Sequence, residues 1–190
     1  MRLILIRHGQ TDANLRHELD TGFPGTPLNP TGLAQAASLV ERLADQPIEV
    51  VMASDITRAR QTAEPLAAAR NIALISHPGL REIFAGDLEG QTDWRAYEAV
   101  IQSWAVDPAA RMPGGGSGLE FADRFNQAVA ELAEYDCAAL VSHGAAMHTW
   151  LLATTGVGGE PAWTLPNTGV VVIEGQPGQW KALWWVDRAV

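Results

Sequence analysis

Leu3-Ile4-Leu5-Ile6-Arg7-His8-Gly9-Gln10-Thr11 is the stretch on which the reading of this chain turns. Four consecutive aliphatics, two of them β-branched, predict a strand buried on both faces, as in a parallel sheet. An arginine, an imidazole and a glycine follow with no spacer. Burying an unpaired arginine is expensive, so Arg7 needs an anionic partner, either a structural carboxylate or a bound ligand. Open α/β sheets bind small molecules at the carboxyl ends of their strands, which gives the ligand more weight. Gly9 lets the backbone approach closely, and Gln10 and Thr11 add short hydrogen-bonding groups.

The elements around this strand alternate. Polar Asp12–Asp20 and the Gly- and Pro-dense run Thr21–Pro30 predict a loop over the strand end. Leu33, Ala36, Ala37, Val40 and Leu43 recur at helical spacing between Pro30 and Ala44. Val50–Ala53 reads as a second buried strand. Ser54 and Asp55 are good N-cap types before a helix over Ile56–Arg70, and Ile72–Ile75 is a third strand. Gly79–Ser117 is less regular, with Trp94, Tyr97 and Trp104 on short helices ahead of Pro113-Gly114-Gly115-Gly116-Ser117. Phe121, Phe125, Val129 and Leu132 mark an amphipathic helix over Leu119–Tyr135. Ala138–Val141 is a buried strand ending in Ser142-His143-Gly144, and Ala145–Thr155 continues as a helix. Gly169–Glu174 and Trp180–Val186, joined by Gly175-Gln176-Pro177-Gly178, predict an antiparallel pair. This alternation specifies a three-layer α/β/α sandwich around a mostly parallel sheet. One domain over 1–190 is expected, with 79–117 as a small helical lid over one end of the sheet. Trp180, Trp184 and Trp185 are read as core or dimer contacts, so monomer and homodimer both stay open.

Composition narrows the classes. A chain of 190 residues with 47% hydrophobic content is long enough for a sizeable core and excludes a disordered class. The formal charge of −9 provides no basic field for nucleic acid or an anionic membrane. Any phosphate pocket must therefore be built from a few local cations. Of 13 basic residues only Lys181 is a lysine, so no P-loop is available. The single Cys137 excludes an internal disulfide and a multi-cysteine metal site. No apolar stretch reaches the ~18–20 residues of a membrane span, and Leu3–Ile6 is too short for a signal peptide. A cytoplasmic protein is expected.

Three strand ends carry related chemistry: Arg7-His8-Gly9, then Ser54-Asp55 with Arg58 one turn into the next helix, then Ser142-His143-Gly144. In a parallel sheet these ends share one edge, so two arginines, two histidines and a helix N-terminus can converge. That combination suits a dianion, because guanidinium forks match phosphate oxygens and helix N–H groups add positive potential.

The chain resembles the histidine phosphatase superfamily, the phosphoglycerate-mutase-like proteins. Arg7-His8-Gly9-Gln10-Thr11 with Asn14 is similar to the opening motif. Ser54-Asp55-Ile56-Thr57-Arg58-Ala59-Arg60-Gln61-Thr62-Ala63 resembles the second, Leu80-Arg81-Glu82 with Gly86, Glu89 and Gly90 the acid-bearing segment, and Val141-Ser142-His143-Gly144 the last. The resemblance implies that His8 is the nucleophile, forming a phosphohistidine with its other ring nitrogen donating to a backbone carbonyl. It implies that Arg7, Arg58, His143 and Asn14 hold the phosphoryl oxygens, with Gln10, Thr11, Gly22 and Gly144 around them, and that Glu82 is the general acid and then base. No metal and no cofactor are implied; the partner is a small phosphate ester, such as a sugar phosphate or phosphoglycerate derivative.

Departures fall on substrate-facing loops. Gly116 stands where the family often has glutamate, and Phe23-Pro24-Gly25 where many relatives have Trp-x-Asp; the first loop is one residue longer than usual. Within the family, a metal-independent phosphomonoesterase is favoured over a cofactor-dependent phosphoglycerate mutase. Glu82 to Ser117 is short, and its basic residues are only Arg95 and Arg111. A non-catalytic phosphate-binding regulator would need neither His8 nor Glu82. A serine hydrolase fails because Gly-x-Ser-x-Gly around Ser117 is broken by Leu119. His17, His77 and His148 match no motif.

Overall fold

The computed structural model describes residues 1–156 and 165–186, with only the backbone for 184–186. Six strands form one sheet: β1 (Arg2–Arg7), β2 (Val50–Ser54), β3 (Leu74–His77), β4 (Cys137–Ser142), β5 (Val170–Gln176) and β6 (Gln179–Val186). Their order is β3-β2-β4-β1-β5-β6. The first four run parallel, while β5 is antiparallel to β1 and to β6. Helices α1 (Asp12–Leu15), α2 (Pro30–Arg42), α3 (Thr57–Arg70), α4 (Arg95–Ser103), α5 (Gly118–Ala130) and α6 (Gly144–Thr155) complete the α/β/α sandwich expected from the sequence.

Side-chain alternation assigns the layers. Leu3 and Leu5 of β1 face one core with Met52, Leu140, Phe125 of α5 and Met147 of α6. Ile4 and Ile6 face the other, with Val51, Val141, Leu39 of α2 and Leu66 of α3. All four β1 aliphatics are fully buried, each stabilising the fold by about 1.5–3 kcal/mol of transfer free energy. Because both faces are covered, β1 has no polar alternation, and its exit is held inside the sheet, beside that of β4.

Several local expectations change. The polar loop after β1 contains the one-turn α1, nucleated by a Thr11–Asn14 capping box. Ser54 and Asp55 do not cap α3: the N-cap is Ile56 without a side-chain bond. Ser54 Oγ instead meets His143 Nε2 at 2.9 Å, and Asp55 pairs with Arg81. The third strand lies two residues later than expected, because Asn71, in the left-handed conformation, ends α3 and delays the chain's return to the sheet. Helix α5 stops at Ala130, short of Tyr135. Ser117 caps it, in a capping box with Glu120, which gives that serine a structural role.

Residues 79–117 hold α4 and a 3-10 turn over Gly86–Leu88. Tyr97 and Trp104 from this segment are buried in the core, while Trp94 is only half-buried. Trp180 joins the same core; the side chains of Trp184 and Trp185 lie outside the described residues. Among the described residues no helix is long and apolar enough to cross a membrane.

Candidate active site

At the carboxyl ends of β1, β2 and β4 the chain leaves the sheet through Arg7-His8, Ser54 and Ser142-His143. A cleft of about 620 Å³ opens over this edge, with Arg7, His8, Thr11, Asn14, Arg58, Glu82 and Gly144 in its wall. His143 sits beneath, fully buried, its ring 5.2 Å from that of His8.

His8 is fixed from both sides. Its Nδ1 lies 2.7 Å from the Gly9 carbonyl, which can only accept, so the proton resides on Nδ1. Nε2 then carries the lone pair, and Arg58 Nε donates to it at 3.2 Å. Burial, followed by the charges of Arg58 and Arg7, holds His8 well below the ordinary histidine value, with the Gly9 carbonyl opposing. The imidazole is therefore neutral at pH 7, as a nitrogen nucleophile requires.

Arg58 is almost wholly buried and is positioned by Asp20. Its Nη1 donates to Asp20 Oδ2 (3.2 Å) and its Nη2 to the Asp20 carbonyl (2.7 Å). Arg7 Nη1 donates to the Leu165 carbonyl, whereas Arg7 Nε is buried without a partner. His143 Nδ1 is likewise buried and unpartnered. Ser54 Oγ accepts from the Ile56 N–H (3.3 Å), so its own hydrogen is available to His143 Nε2. With the Ser54 hydroxyl donating to Nε2, the His143 proton lies on Nδ1, which is then a donor. Burial, then Arg58, keeps His143 neutral as well. Buried donors without partners are rare in folded proteins and call for a ligand acceptor. Gly144 leaves room beside one of them: a Cβ there would lie 3.3 Å from Arg7 Nε.

Glu82 holds a position the sequence did not reveal. Its Oε1 accepts from the backbone N–H groups of Ala146 (2.7 Å) and Ile83 (2.8 Å), and its Oε2 from Ala145 (3.1 Å). The N-terminus of α6 is thus engaged by the carboxylate. Arg124, also unforeseen, clamps the loop that carries it, donating to the carbonyls of Gly79 (2.7 Å), Arg81 (2.7 Å) and Glu82 (2.9 Å).

The other sequence-selected residues divide. Asn14 Oδ1 accepts from the Thr11 N–H and from Asn167 Nδ2, both at 3.1 Å, which leaves the Asn14 amide NH₂ for an anion. Thr11 caps α1 beside it. Gln10 and Gly22 do not line the cleft. Gln10 Oε1 accepts from Asn29 at 3.1 Å, and Gly22 lies against Phe84 and Glu89. Gly9 does permit a close approach, but to Gly32 of α2: a Cβ on Gly9 would come within 2.7 Å of the Gly32 carbonyl. Asp20, Asn167 and Thr149 were missed, and Ser54, placed on its strand end by the sequence, has a partner in His143 that the sequence did not show. Asp20 and Asn167 reach the site from segments that carry no local pattern, and Thr149 is one polar residue on a largely apolar stretch of α6. Among the described residues no three His, Cys, Asp or Glu side chains gather as a metal-ligand set.

A neutral imidazole flanked by two guanidiniums, with a carboxylate on the same cleft, is the equipment of a phosphate-handling α/β protein. The chain belongs to the histidine phosphatase superfamily (branch 1), whose family model matches residues 3–188. It is 32% identical to a probable phosphoglycerate mutase of Proteus mirabilis, over 98% of this chain and 90% of that one. It is also 32% identical to the adenosylcobalamin/alpha-ribazole phosphatase of Escherichia coli K12, over 86% and 83%. Among solved structures, a mycobacterial glucosyl-3-phosphoglycerate phosphatase aligns with a TM-score of 0.78 at 27% identity, covering 97% of this chain and 98% of that one.

Proposed function

We propose that this protein is a metal-independent phosphomonoesterase that acts on a small phosphorylated metabolite through a phosphohistidine at His8. The observation that carries this reading is the set of donors around His8 Nε2. Arg58 Nε reaches it, and Arg7 Nε and His143 Nδ1 are buried nearby without partners. A phosphoryl group placed there receives charge-assisted hydrogen bonds on its oxygens while the Nε2 lone pair attacks phosphorus in line. The P–O bond to the alcohol breaks and its electron pair leaves with that oxygen, which Glu82 protonates. Glu82 then takes a proton from water as the water attacks the phosphohistidine and frees His8.

A mutase is the second reading, favoured by relatives named as probable phosphoglycerate mutases. The two differ in the fate of the phosphoenzyme. Single-turnover chase experiments with labelled ester should show the phosphoryl group draining to water within about one turnover. Persistence of the phosphoenzyme, with transfer to added monophosphoglycerate faster than release to water, would replace the phosphatase by the mutase.

A further inference from the structure

Beyond its phosphate end, the cleft has a charge pattern that restricts the substrate. Its described wall contains two arginines, Arg7 and Arg58, and no lysine, against four carboxylates: Glu18, Asp20, Glu82 and Glu98. Both arginines lie at His8, and one is already paired with Asp20. Arg81 and Arg95, next in the chain to lining residues Glu82 and Trp94, are paired with Asp55 and Asp93, and they, Arg16 and Arg124 do not line this cleft. Arg16 is mostly exposed and pairs with Glu18 at 2.8 Å, and Arg124 is committed to three carbonyls behind the Glu82 loop.

The outer wall is apolar. Half-buried Trp94 and Ile101 come from the 79–117 segment, while Leu152 of α6 and Leu165 lie in the same wall. Leu152 is 41% exposed, a large aliphatic left bare beside a cleft. Trp94 is held in place, its indole N–H donating to the His17 carbonyl at 2.7 Å. Thr149 adds a buried hydroxyl without a partner. At about 620 Å³ the cleft holds considerably more than a phosphoryl group.

We propose that the cleft selects a phosphate monoester of an uncharged alcohol that carries an apolar or aromatic face, and that it repels a second anionic group on the substrate. The inference rests on the phosphatase reading and narrows it. A substrate carboxylate or second phosphate would enter a region where the dianion's cations are already used and Glu98 lines the path, beside a Glu18 already neutralised by Arg16. One like charge at ~8 Å in a partly solvated cleft, at an effective dielectric between that of water and a protein surface, changes affinity several-fold to about tenfold.

The test uses two benzyl phosphates with the same reacting end, one bearing a para-carboxamide and the other the nearly isosteric para-carboxylate. Initial rates should give kcat/KM about tenfold higher for the carboxamide, and the ratio should narrow as salt rises from ~0.02 M to ~0.5 M. Glu98→Gln should raise kcat/KM for the carboxylate more than for the carboxamide. Unsubstituted benzyl phosphate should have a KM several-fold below that of glycerol phosphate. Equal or inverted preference between the paired esters, insensitive to salt and to Glu98→Gln, would overturn the inference while leaving the phosphatase standing. Equal KM values for benzyl and glycerol phosphate would overturn the apolar half of it. Failure to turn over any monoester would overturn the phosphatase reading, and the substrate class with it.

Discussion

Replacing Glu82 by glutamine should damage chemistry and fold together, and the structure sets the size of each effect. The carboxylate receives three backbone N–H groups, two of them from the first turn of the twelve-residue α6. Glutamine offers a single oxygen. It can keep the bonds from Ile83 and Ala146, but its NH₂ then faces the Ala145 N–H, donor against donor. Losing one charge-assisted bond costs roughly 1–3 kcal/mol when the donor stays buried. Losing the negative charge at the helix N-terminus costs a further ~0.3–1 kcal/mol. Ala145 lines the open cleft, so water relieves part of the first term, and a total of about 2 kcal/mol follows. For a domain of this size that lowers Tm by ~4–8 °C.

The chemical effect depends on the leaving group. Alkyl alcohols need the proton, and their phosphorylation of His8 should slow by ~10²–10⁴-fold. A p-nitrophenyl ester leaves without much help and should suffer distinctly less. Thermal unfolding gives the first number, and pre-steady-state bursts below the transition, with aryl and alkyl esters, give the second. An unchanged Tm would refute the helix-capping role. Equal losses for both leaving groups would remove Glu82 from the acid role.

Two more outcomes follow from the same geometry. Gly144 has no positive φ, so Gly144→Ala should leave Tm unchanged or slightly raised, yet weaken inhibition by inorganic phosphate about 10–100-fold by crowding Arg7 Nε; unaltered inhibition would show that Arg7 Nε does not face the anion. His8 and His143 are held neutral by burial and by Arg58, so the unfolded chain takes up protons near 6.5 while the folded chain does not. Their contribution to stability is complete above that pH and lost below it, at about 1.4 kcal/mol per pH unit for each histidine until the folded values are reached. Urea titrations between pH ~6.5 and ~5 should show this slope, roughly halved in His143→Asn. An unchanged slope in that variant would contradict the buried neutral assignment.

Much of the sheet was legible because β1, β2 and β4 are buried on both faces and so appear as continuous aliphatic runs. The residues on their carboxyl ends were legible for the same reason, since a parallel sheet brings those ends to one edge. The half-exposed edge strand β3 carried a weaker pattern and was placed two residues early. Helix α1 has no apolar period at all; it exists because Thr11 and Asn14 cap each other. The partners of the site residues were the least legible. Asp20 reaches Arg58 across 38 positions, and Ser54 reaches His143 across 89. Such pairings are products of the fold and leave no mark on local spacing. The same applies to Glu82, whose residue type suggested an acid but gave no sign that it also holds the N-terminus of α6.

The central claim is that His8 Nε2 is the atom that takes the phosphoryl group. Its ring orientation makes the claim specific, because Nδ1 is occupied by the Gly9 carbonyl and Nε2 alone faces the cation cluster. Rapid acid-free quench after mixing with labelled ester, followed by peptide mapping and ³¹P NMR, should find phosphate on His8, labile in acid, stable in base and attached at Nε2. His8→Ala should carry no label and show no turnover while keeping the wild-type circular dichroism. Label on Nδ1, label on another residue, or substantial turnover by His8→Ala would contradict the account.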